Sequence, residues 1–127
     1  MSGHKGHKTF ADHVFLPPVR ASLSTTYSNL YAWLCIDGDV GEGGVGSLCH
    51  SYGGVAPWLA IDYGKLVSVR RVEIFNRLGC CGNRAKNVDV RVSNNLPTTD
   101  KQMFSGGALL GHFAGPGTDG QLINVSG

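Results

Sequence analysis

The sequence predicts an all-β domain, an antiparallel sandwich or jelly roll, and three of its features carry that expectation. Short apolar runs, one in strict two-residue alternation, recur along the chain. Clusters rich in Gly, Asp and Ser separate them. No segment holds the 3.6-residue apolar period of an amphipathic helix over a useful length.

In chain order, residues 21–27 form the first strand candidate. Trp58-Leu59-Ala60-Ile61-Asp62 is an apolar run that stops at Tyr63-Gly64-Lys65, a strand followed by a turn. Val67 and Val69 alternate with polar neighbours, but Val72 and Ile74 resume on the opposite phase, so a bulge is expected at Arg70-Arg71. Val88-Asp89-Val90-Arg91-Val92 alternates strictly, as a half-buried strand does. Residues 109–113 and 122–125 complete the set, and residues 37–47 and 93–100 read as loops.

A chain of 127 residues buries one core, and its 19 glycines suit many tight turns rather than a bundle. The net charge of +2, with no basic run interleaved with aromatics, argues against nucleic acid. Nothing approaches the roughly 18 apolar residues of a membrane span, so no membrane insertion is expected. Residues 1–12 read as a flexible polar tail and 13–127 as the domain; no signal peptide is visible behind Met1. Ser2-Gly3-His4 has the donors of a square-planar Cu(II) or Ni(II) site once Met1 is removed, but a polar leader accounts for it.

The four cysteines, Cys35, Cys49, Cys80 and Cys81, permit three pairings. Neighbouring Cα atoms lie about 3.8 Å apart, short of the usual disulfide span, so a Cys80–Cys81 bridge strains the backbone. Gly79 and Gly82 on either side ease that distortion. Arg77 and Arg84 flank the pair. A guanidinium holds its donors in a rigid fork, suited to bridging neighbouring oxygens on one ring. Sugars offer such oxygens beside an apolar face, and His50 is a candidate third donor.

Residues 76–84, with Ser47-Leu48-Cys49-His50 and Pro57-Trp58-Leu59-Ala60-Ile61-Asp62-Tyr63-Gly64 upstream, closely resemble the F-type lectins, or fucolectins, of the discoidin-like (coagulation factor V/VIII C-type) sandwiches. The spacings match that family's fucose motif: 27 positions from His50 to Arg77 and seven from Arg77 to Arg84, with vicinal cysteines between the arginines. The resemblance runs from about residue 20 to residue 124. It implies a secreted lectin for terminal L-fucose on fucosylated glycans. His50, Arg77 and Arg84 would bond the ring oxygen and hydroxyls, Cys80–Cys81 would face the apolar carbons, and Leu30, Val45 and Tyr52 are candidates for the 6-methyl group. It also implies a structural calcium held by Asp37, Asp39 and Ser47 and the carbonyl of Leu34, all hard oxygen donors.

The chain departs from the family twice. Gly79 stands where the motif has an aspartate, and the sequence stops short of the family's last strands, which bring a partner for Cys49 and an acidic calcium ligand. Cys35, on the other flank of the calcium loop, is the stand-in partner. No Ser/His/Asp or Cys/His set or carboxylate pair suggests an enzyme. The rival reading is a discoidin-like module that binds phospholipid or protein without reading sugar. Weak single sites gain from multivalency, so a homo-oligomer is expected.

Overall fold

The computed structural model describes residues 9–10, 13–14, 17–36, 48–53, 56–95 and 106–127. They are all-β with two short 3₁₀ turns, every strand pair is antiparallel, and the chain divides into two compact units, Met1–Lys65 and Leu66–Gly127. The first eight residues, with their Ser2-Gly3-His4 run, lie outside the described residues.

In the first unit β1 (Thr9–Phe10) pairs with β2 (His13–Val14), and β3 (Arg20–Leu23) pairs with β4 (Leu59–Asp62). The second ladder runs from Arg20 opposite Asp62 to Leu23 opposite Leu59. Opposite charges meet at its first rung, Arg20 Nε to Asp62 Oδ2 at 3.3 Å, an exposed pair of small energetic weight. The Asp62 carboxylate also accepts from Gly64 N–H at 2.8 Å, and Gly64 at φ 72° turns the chain out of β4. Ala32–Cys35 forms a 3₁₀ turn whose Leu34 and Cys35 are buried with Cys49, and Leu23, Leu30 and Leu59 pack around them. A bridge joins Cys35 to Cys49, so the stand-in pairing is the one found.

In the second unit β5 (Arg71–Phe75) pairs with β8 (Leu122–Ser126), and β6 (Val88–Val92) with β7 (Ala108–Phe113). Along β8 Ile123 and Val125 are buried while Leu122, Asn124 and Ser126 are exposed, the period of two that a half-buried strand requires. Ile74 of β5 lies opposite Ile123 and is buried with it. Gly111 of β7 lies close against β8: a Cβ there would come within 2.7 Å of Val125 Cγ1.

Two expectations need correction. Residues 67–69 form no strand, because no described strand lies opposite them; β5 begins at Arg71. The bulge is not at Arg70-Arg71 either. It falls between Val90 and Arg91, which pair with Gly111 and Leu109 and leave Leu110 without a rung.

Candidate functional site

The loop leaving β5 is held at several points. Cys80 and Cys81 are bridged to each other, with Cα atoms 3.7 Å apart, as adjacency predicts. The backbone bends there: Gly79 sits at φ 82° and Cys81 at φ 67°. A side chain at positive φ is uncommon and costs free energy unless the surroundings hold it. Beyond Cys81 the chain closes a 3₁₀ turn, Gly82–Arg84, with Arg84 N–H donating to Cys81 O at 3.0 Å.

A second turn, residues 117–121, grips this loop from both ends. The Asn76 amide donates to Gly82 O and Thr118 O, both at 2.9 Å. Gly82 N–H donates to Asp119 Oδ1 at 2.7 Å, and Gly120 N–H to Arg77 O at 2.8 Å. The Gln121 side-chain oxygen accepts from Thr118 N–H at 2.9 Å and closes the turn on itself. A Cβ on Gly82 would overlap the backbone of Thr118 and Asp119, so only glycine lets the two turns approach this closely.

The arginines on this loop differ from Arg20, Arg71 and Arg91. Arg20 and Arg71 hold carboxylates, and Arg91 Nε donates to Gly106 O at 3.0 Å. Arg77, half-buried, and Arg84, exposed, have no side-chain hydrogen bond or ion pair among the described residues. In sequence the two arginines flank a half-buried disulfide, and among the described residues their guanidinium donors are unspent. Such a group can present several N–H donors to hydroxyl oxygens next to an apolar sulfur surface.

In the first unit His50 follows bridged Cys49 and is held by its backbone, His50 N–H to Leu30 O at 3.1 Å and Tyr27 N–H to His50 O at 2.8 Å. Its Nδ1 donates to Ser51 O at 2.5 Å. In the neutral ring that leaves Nε2 to accept a hydrogen bond, and in the protonated ring Nε2 donates. The Tyr27 ring lies 5.0 Å from the imidazole and meets Tyr52 edge-on at 5.3 Å. Tyr52 is 70% exposed, whereas Leu30 packs on the core of the unit; Val45 lies outside the described residues. Elsewhere in the unit, burial pushes the Tyr63 phenol above its ordinary value.

Of the expected calcium ligands, Leu34 sits buried in the first 3₁₀ turn. Asp37, Asp39 and Ser47 lie outside the described residues, within the segment that the Cys35–Cys49 bridge closes. Among the described residues no three His, Cys, Asp or Glu side chains converge as a metal site.

The sequence reading missed Asn76, Asp119 and Gln121. Their one visible signal is the turn dipeptide Asp119-Gly120, and nothing local says that it faces a loop 37 residues upstream.

A family model described as F5/F8 type C, NedA-like, galactose-binding domain matches residues 34–108. The chain belongs to this family. It is also similar to an F-lectin (fucolectin) from the serum of striped bass, Morone saxatilis, known from its crystal structure, with a TM-score of 0.73 and 23% identity. That likeness covers 85% of this chain but 36% of the bass protein, so the chain spans about a third of that lectin. The shared fold is the discoidin-like β-sandwich: the strand pattern predicted a sandwich, and the resemblance implied its discoidin-like form. No curated protein matches the sequence.

Proposed function

We propose that the domain is a non-enzymatic lectin that binds terminal L-fucose on glycans. The observation that carries this reading is the pair of guanidiniums, Arg77 and Arg84, which flank the bridged Cys80 and Cys81 in sequence and have no partner among the described residues. Membership of a galactose-binding family and likeness to a fucolectin support it. In the second unit Arg77 and Arg84 donate to ring and hydroxyl oxygens and the disulfide covers the sugar's apolar carbons; in the first unit His50 remains the candidate for a further hydroxyl contact. Arginines only donate, and sugar hydroxyls also need an acceptor, a role open to an imidazole.

Calorimetry with free sugars tests the assignment. L-Fucose is expected to release heat on binding, and mannose or glucose at equal concentration to release none. No heat with fucose, together with binding to phospholipid vesicles, would replace this reading by the discoidin-like interaction module. Tyr31 and Trp33, about half exposed beside the first 3₁₀ turn, are the surface that such a module would use.

All four cysteines are bridged, which suits an oxidising extracellular setting, and the bass lectin is a serum protein. Assembly into a homo-oligomer would raise the avidity of a weak single site for clustered glycans.

We assign a structural calcium to Asp37, Asp39, Ser47 and the Leu34 carbonyl. The donor set fits: every candidate ligand is an oxygen, and a disulfide ties the two ends of the segment. A cation bound only by the folded chain stabilises by about 2.7 kcal/mol at a hundred times its dissociation constant. The melting temperature is therefore expected to rise with added calcium and fall with chelator, and Asp37→Asn with Asp39→Asn to remove that response. An unchanged melt in both conditions refutes the site.

A further inference from the structure

We infer that Asp119 is a positioning residue for the disulfide loop, fixing where Arg84 stands relative to Arg77 without touching the sugar. The inference rests on the sugar-binding reading above and adds a residue to it from outside the loop.

The 3₁₀ turn that carries Arg84 begins at Cys81, whose side chain makes no cap hydrogen bond. Its sulfur is already spent in the bridge, so the first N–H groups of the turn need an acceptor from elsewhere. Asp119 supplies one, its Oδ1 2.7 Å from Gly82 N. A bond to an ionised carboxylate is shorter and stronger than a neutral one, and this one holds the residue just after Cys81 at φ 67°. The next residue, Gly120, grips the other arm through its N–H to Arg77 O. One dipeptide therefore ties both arms of the loop, the carboxylate to the Arg84 side and the amide to the Arg77 side. The missing Cβ of Gly82 is what lets the clamp close.

The carboxylate has no second task to explain it. Asp119 forms no ion pair among the described residues, although arginines and lysines are plentiful. A guanidinium that binds two oxygens at once depends on where its backbone is held, so a loosened turn reaches the sugar as lost affinity.

The test compares Asp119→Ala with Asp119→Asn. Alanine removes the acceptor; asparagine keeps an oxygen for the Gly82 N–H. Fucose affinity is expected to fall about tenfold in D119A, equivalent to one charge-assisted hydrogen bond, and to stay within about threefold of wild type in D119N. Amide exchange at Gly82 and the Nε–H resonances of Arg77 and Arg84 read the loop directly, without any ligand. Gly82 exchange should accelerate and the arginine resonances should shift in D119A alone. Wild-type affinity in D119A, or equal losses in both variants, overturns the inference. If the wild-type protein binds no fucose, the sugar reading falls by itself. The resonances then decide the rest: unchanged Gly82 exchange and arginine signals in D119A refute the positioning role, and the expected changes uphold it.

Discussion

Arg77→Ala is expected to abolish measurable fucose binding and to leave the thermal melt within about 2 °C of wild type. The two halves of that result have different origins. A charged side chain donating to a neutral hydroxyl contributes about 1.5–3 kcal/mol, and two such bonds lost together exceed a hundredfold in affinity. Stability is spared because the Arg77 guanidinium has no partner among the described residues, while its backbone carbonyl, which the Gly120 N–H needs, survives the substitution. Lysine should restore little, since an ammonium is a point charge and does not span two oxygens as the planar fork does. Arg84→Lys should be milder, because Arg84 is exposed and a flexible lysine there still supplies a charged donor. Titration of the three variants beside their melts checks all of this. Normal binding by Arg77→Ala would place the sugar elsewhere on the domain; a collapsed melt would mean that the guanidinium serves the fold.

What could be read from residue order alone follows the range of the interaction concerned. The strand at Val88–Val92 was legible because alternation is a local property, whereas the Cys80–Cys81 bridge was expected through the flanking glycines and the family resemblance, since adjacency by itself counts against it. Val67 and Val69 show the limit of the same rule. Their alternation is real, but a strand exists only where another strand offers its backbone, and none described does. The 3₁₀ turn at Ala32–Cys35 left no period to detect, being fixed by burial of Leu34 and Cys35 against Cys49, fourteen residues beyond Cys35. Arg77 and Arg84 stood out through their symmetric place around the cysteines. Asp119 did not, because its meaning lies in one contact with Gly82 that only the fold creates. For His50, residue order gave the residue but not its local bond, the Nδ1 contact with Ser51 O that only the fold creates.

Removing the Cys35–Cys49 bridge by Cys35→Ala with Cys49→Ala is expected to cost about 3 kcal/mol of stability. The bridge closes a loop of 14 residues, and the chain-entropy account assigns roughly that figure to a loop of this length. For a domain of this size it corresponds to a fall in melting temperature of about 10 °C. Alanine is the right replacement because both sulfurs are buried with Leu34, where a serine hydroxyl would add its own desolvation cost. Urea titration separates two contributions. If the bridge acts on the unfolded chain, the variant exposes more surface on unfolding, and the slope of free energy against denaturant rises with the loss. A loss at unchanged slope would instead assign the effect to packing around Leu34. The loop also leads directly into His50, so fucose affinity should fall in the variant even well below its melt, while the Cys80–Cys81 bridge stays intact. A variant as stable as wild type would show that burial of Leu34, Leu23 and Leu59 holds this corner without the covalent tie.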